Sequence, residues 1–138
     1  MNIATLDAMG NGSAFESLAQ SLEVPPSSMW KQGQSRRNGS AYATDGFRIL
    51  IADVETPVDL VRSVQAFLVR CERLGVTFAM PSVSAQLSIG VTVGDSRQFA
   101  AAIEFSALEL RALSELGMSL SVIAYPTSDE ANANESAI

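Results

Sequence analysis

An α+β two-layer sandwich is predicted for this chain: about three helices on one face of a mostly antiparallel sheet of about four to six strands, in the order β-α-β-α-β-β-α-β. Three observations predict it. Apolar residues alternate with period two over Ile3–Met9, Val83–Val93, Phe99–Phe105 and Leu120–Ala124, as in half-buried strands. Between them, Phe15/Leu18/Ala19/Leu22, Val61/Val64/Leu68/Cys71 and Leu110/Leu113/Leu116 recur at helical spacing. Gly and Pro punctuate the joins at Gly10-Asn11-Gly12, Pro25-Pro26, Gly75, Gly94 and Gly117.

Taken in order, Ile3–Met9 is the first strand, with Ala4, Leu6 and Ala8 on one face. Ser13 with Glu16 has the spacing of a capping box, which starts a helix that Val24-Pro25-Pro26 stops. Ser27–Ser40 reads as a polar, irregular connection, either mobile or functional because it is long for a compact domain. Asp45-Gly46 reads as a tight turn between two short strands, and Arg48–Val54 as the firmer strand. Thr56 is placed as N-cap, Pro57 at the first helical position and Asp59 at the third, opening the longest helix, which Gly75 ends. Arg62, Arg70, Glu72 and Arg73 take its wetter side.

Val76–Met80 reads as a short extended piece, and Val83–Val93 as a strand with Ala85, Leu87, Ile89, Val91 and Val93 inward. Gln98–Phe105 is a further strand by its alternation. Ser106 with Glu109 is a second capping box, Gly117 the residue after the helix, and Met118–Pro126 the closing strand. The expected organisation is a single α+β domain over residues 1–126 and a disordered tail over 127–138, small and polar in composition.

Composition narrows the chemistry. The 138 residues contain no histidine, which excludes Ser-His-Asp, Cys-His and other His-based acid–base catalysis. One cysteine, Cys71, allows neither an internal disulfide nor a usual Cys/His zinc site, and its helical position marks a buried structural thiol. Nine basic against fifteen acidic residues give a net charge of −6, which argues against nucleic acid and permits a basic protein partner. No apolar run approaches the roughly 18 residues of a membrane span. Met1–Asp7 lacks the basic and apolar regions of a signal peptide, so a cytoplasmic protein is expected.

Four constellations bear on function. Gly10-Asn11-Gly12 resembles a phosphate turn, but Phe15 stands where a third glycine would be, so an ordinary turn is expected. Asp53, Glu55 and Asp59 cluster at a helix start, where the dipole favours carboxylates without any metal. Asp95 and Arg97 are ordinary turn residues. Trp30, Lys31, Arg36, Arg37 and Tyr42 are the candidate partner-contact residues, because aromatics interleaved with cations grip acidic or aromatic surfaces. The same residues also suit a simpler role, anchoring the long loop to the sheet.

Pro26-Ser-Ser-Met-Trp-Lys-Gln-Gly33, Leu87-Ser-Ile-Gly-Val91 and the closing Phe105-Ser106…Leu110…Leu113…Leu116-Gly-Met-Ser-Leu-Ser-Val122…Tyr125 together resemble the bacterial domain of unknown function 4279 family. The family's tryptophan before the second strand is replaced here by Ala41 or Tyr42. The resemblance implies a small stand-alone α+β domain and brings no catalytic residues. The expectation is therefore a non-enzymatic interaction module, immunity- or antitoxin-like, that pairs with a basic protein or with itself as a homodimer, with no cofactor, metal or membrane contact. A small-molecule-binding regulatory domain and a histidine-free enzyme are the alternatives.

Overall fold

The computed structural model describes residues 1–136. Its elements are β1 (Asn2–Gly10), α1 (Ser13–Ser21), β2 (Ser28–Trp30), β3 (Asp45–Val54), α2 (Pro57–Leu74), β4 (Ser84–Val93), α3 (Ala107–Glu115), β5 (Met118–Pro126) and α4 (Asp129–Ser136). The five strands form one open sheet in the order β2-β3-β1-β4-β5. All neighbours are antiparallel except β4 and β5, which run parallel. The fold is α+β, as the sequence predicts.

The period-two pattern sets the layers. Leu6 faces Ile49 on β3 and Leu87 on β4, and Ala8 faces Phe47 and Ala85. All six side chains are buried, on the sheet face that the helices cover. Phe15 of α1 stacks on Phe47 with ring centroids 5.4 Å apart, which docks α1 at one end. Helix α2 crosses β3 and β1 and buries Leu60, Val64, Phe67, Leu68 and Cys71. Its ends follow the sequence: the Thr56 side chain accepts from Asp59 N–H, Pro57 opens the helix, and Gly75 closes it at φ 66°. Arg70 is not idle on the wet side. Its guanidinium donates to the Leu22 carbonyl at 3.1 Å, where the C-terminal carbonyls of α1 lack helical partners.

Some expectations are corrected. Ser13 is the first helical residue and not the cap. Gly12 takes the N-cap position and no side chain caps α1, whereas Ser106 and Glu109 make both bonds of a capping box. Asp45-Gly46 is no turn: both residues lie inside β3, opposite Gly10 and Met9. The segment Ser27–Ser40 contains a strand, β2, and folds onto itself through the Ser35–Ala41 bridge. Val76–Met80, read only as a short extended piece, has no place in the sheet, and in it Phe78 is fully buried with its N–H donating to the Leu116 carbonyl at 2.9 Å. Gln98–Phe105 lies outside the sheet, with bends at Phe99 and Ala100. Its alternation holds from Ala101 onward, where Ala101, Ile103 and Phe105 pack partly on the core, but Phe99 is exposed and β5 holds the place beside β4.

The connection from β4 through that segment and α3 to β5 is a crossover, which is why β4 and β5 are parallel. Gly117 at φ 78° turns the chain into β5, and a Cβ there would meet the Ala79 nitrogen at 2.5 Å. Within α3 only Leu113 is buried, while Leu108 and Leu110 face outward, so its apolar face is narrower than its leucine content. Asp129–Ser136, expected to be disordered, is helical and tied down by Asp129, which accepts from the Ser96 N–H and hydroxyl. The rest of that expectation, residues 137 and 138, lies outside the described residues.

Candidate interaction surfaces

Trp30 pairs with Gly46 across β2 and β3, on the face opposite the helices. Its indole lies flat on Gly46, where a Cβ would fall inside the ring. Tyr42 stacks on the other side of the indole at 5.1 Å, and the Arg36 guanidinium sits 5.1 Å over the Tyr42 ring. The result is a column of Gly46, Trp30, Tyr42 and Arg36. It pins the loop as a small hairpin, held also by Gly33 N–H to Tyr42 O and Tyr42 N–H to Gln34 O, both at 2.9 Å. The Trp30 Nε1–H is buried and has no acceptor among the described residues.

Three of the five candidate residues are therefore brought together, and two are not. Lys31 turns aside to Glu16 at 3.4 Å and Asp45 at 3.8 Å. Arg37 is exposed and, like Arg36, makes no ion pair among the described residues. The aromatic members are thus occupied in holding the loop, and the loop's free chemistry is a pair of arginines.

A polar cleft of about 690 Å³ opens at the far end of the sheet, lined by Glu55, Asp95, Arg97, Gln98, Asp129 and Asn132 among others. Two of its carboxylates, Asp95 and Asp129, are engaged internally. Asp95 accepts from the Gln98 N–H and from the Asn132 amide, both at 2.7 Å, and those bonds hold its pKa below the ordinary range. Among the described residues no three acidic or cysteine side chains come together as a metal site, and Asp59 instead lies 3.8 Å from Arg62. The Gly10-Asn11-Gly12 turn has a structural partner: Asn11 Oδ1 accepts from the Asp45 N–H at 3.2 Å. Burial pushes the Cys71 thiol up to about 11, which leaves it protonated and unreactive at neutral pH.

The third surface was not anticipated. Strand β5 is an edge strand of nine residues, and only Met118 on it is buried. Leu120 is 38% exposed and Val122, Ile123 and Tyr125 are each 48% exposed. Leu120, Val122 and Ala124 stand beside Leu87, Ile89 and Val91 on the helix-covered face, but the nine-residue α3 leaves them open. Ile123 and Tyr125 lie on the other face, Tyr125 across Gly90. No charged residue occurs from Met118 to Pro126. The opposite edge differs: β2 has three residues, follows Pro25-Pro26, and carries the stacked loop. Charge, proline, shortness and cover are the usual protections of a sheet edge, and β5 has only its terminal Pro126. The available signal was the uncharged, β-prone run Met118–Tyr125.

No family model, curated protein or solved structure matches the chain. No helix among the described residues is long and apolar enough to cross a membrane.

Proposed function

We propose that this chain is a non-enzymatic protein-interaction module that binds by strand addition at β5. The observation that carries the reading is the bare edge itself: nine residues, uncharged, with apolar side chains open on both faces. An added strand would satisfy the edge amides and carbonyls and take those side chains out of water, the mode in which main-chain bonds give affinity and alternate side chains give specificity. The engagement of Asp95 and Asp129 in the polar cleft and the absence of histidine in the sequence support a binding role over catalysis.

The loop arginines support a second contact. Arg36 and Arg37 are exposed cations on a chain of net charge −6, and Arg36 rests on the Trp30–Tyr42 stack. Affinity capture with three baits separates the two surfaces. Leu120→Lys with Val122→Lys is expected to abolish stoichiometric capture, while Arg36→Glu with Arg37→Glu leaves it largely intact. The reverse pattern would move the contact to the loop, and a metabolite-dependent rise in Tm without any capture would favour the small-molecule reading.

A further inference from the structure

Resting on that reading, we infer that the strand added to β5 is β5 of a second copy, antiparallel about a two-fold axis through Val122, which makes one continuous sheet of two five-stranded halves.

The backbone sets the register. Thr127 N–H donates to the Val93 carbonyl at 2.8 Å, so at strand periodicity Tyr125, Ile123, Ser121 and Ser119 also turn their backbone groups toward β4. Met118, Leu120, Val122 and Ala124 then turn theirs to the free edge. In an antiparallel pair, residues that exchange both bonds recur every second position. An axis at Val122, the midpoint of β5, places Val122 opposite the partner's Val122 and Leu120 opposite the partner's Ala124. Every outward amide and carbonyl from Leu120 to Ala124 finds its complement, and the whole strand, about 30 Å at roughly 3.4 Å per residue, is used.

Side-chain volumes agree with this register. On the helix side Leu120 meets the small Ala124 of the partner. On the other side Ser121 meets the partner's Ile123, and Ser119 meets the partner's Tyr125. Large stands against small at each pair, with Val122 matched to itself on the axis. The helix-covered faces of both copies fall on the same side, so the open patch at Leu120 and Val122 is continued and not opposed.

Charge selects a second copy over a basic partner. The strip is the uncharged part of an acidic chain, and a basic protein would find no carboxylate on it. Two copies of net charge −6 repel elsewhere, so their association should strengthen as salt screens that repulsion. Binding of a basic protein would weaken under the same change.

Sedimentation equilibrium of the full chain across concentration, at low and at moderate salt, tests the inference. A concentration-dependent dimer that tightens with salt is expected. Val122→Pro removes an edge amide that β4 does not use, so the circular dichroism spectrum should persist while self-association weakens by at least about tenfold. Val122→Cys provides a second readout. Directly opposite residues that exchange both bonds stand about 5.5 Å apart at Cα, within disulfide reach, so mild oxidation should give a covalent dimer while buried Cys71 stays reduced. A monomer at every concentration, or an oxidised Val122→Cys protein that remains monomeric, overturns the self-pairing. Capture of another protein that still depends on Leu120 and Val122 would then show that the edge reading survives without it; loss of that dependence as well would overturn both.

Discussion

The side-chain amides of Asn2 and Gln98 bond to each other in both directions: Asn2 Nδ2 donates to Gln98 Oε1 at 3.1 Å, and Gln98 Nε2 donates to Asn2 Oδ1 at 2.8 Å. Asn2 is fully buried, on the same face as Ala4 and Leu6. Gln98 Nε2 also reaches the Thr92 carbonyl at 2.7 Å and Asn2 Nδ2 the Val54 carbonyl at 3.3 Å. This network clamps the chain where it leaves β4, and the following segment runs beside α2 rather than in the sheet.

Gln98→Ala leaves the buried Asn2 amide without its partner, and Asn2→Ala does the same to the half-buried Gln98 amide. Gln98→Ala and Asn2→Ala should each lower stability by about 1–3 kcal/mol in urea unfolding. The double variant should lose less than the sum, because the two amides share one interaction. Strict additivity would mean that each amide acts through its backbone contacts alone.

The Trp30 column predicts an ordered series. Trp30→Ala should loosen the loop and cost several-fold more stability than Trp30→Phe, which keeps a stacking ring and removes an N–H that has no acceptor. Gly46→Ala drives a methyl into the indole and should cost about 1–3 kcal/mol, with a change in Trp30 fluorescence. Equal effects of the two Trp30 substitutions would show that the stack contributes nothing.

Acid should act through Asp95 and Glu109. Hydrogen bonds from Gln98 and Asn132 lower the Asp95 pKa, and the Gln65 amide, then the Ser106 cap, lower that of Glu109. A carboxylate depressed in the folded state stabilises fully above its unfolded pKa, and the contribution is lost as pH falls through the folded value. Stability should therefore be level above about pH 5 and decline below about pH 4. Asp95→Asn should flatten part of that decline in pH-dependent urea unfolding; an unchanged profile would assign the acid sensitivity to other carboxylates.

Cys71 gives a probe of opening. Its thiol is fully buried and its pKa is raised to about 11, so a thiol reagent at pH 8 should label native protein at the rate of unfolding and unfolded protein at once. Fast labelling of the folded chain would place Cys71 on a locally opening part of α2.

Much of the fold was legible in local sequence because its signals are local. Thr56-Pro57 and Gly75 bound α2, Ser106 and Glu109 open α3, and alternation marks β1, β4 and the inner half of β3. Alternation failed at Gln98–Phe105, since period two reports an extended chain with one buried side and not a hydrogen-bonded neighbour. At Ser13 a cap motif failed because Gly12 had already taken the cap position.

The candidate residues divide in the same way. Their chemistry could be read from Trp30, Lys31, Arg36, Arg37 and Tyr42, but their roles follow from Gly46, a residue from another strand, whose bare backbone receives the indole. The β5 edge was invisible for the converse reason. Met118–Tyr125 reads as any buried strand, and its exposure arises only from its place outside β4 and from the shortness of α3.

The sequence by itself determined the α+β class, the main helices and strands, and the exclusion of histidine chemistry, because periodicity, caps and composition act within a few residues. Only the tertiary structure decided which strand lies at the edge, which segment stays out of the sheet, and which aromatics face inward. Those outcomes depend on competition between distant segments for the same hydrogen-bonding and packing positions.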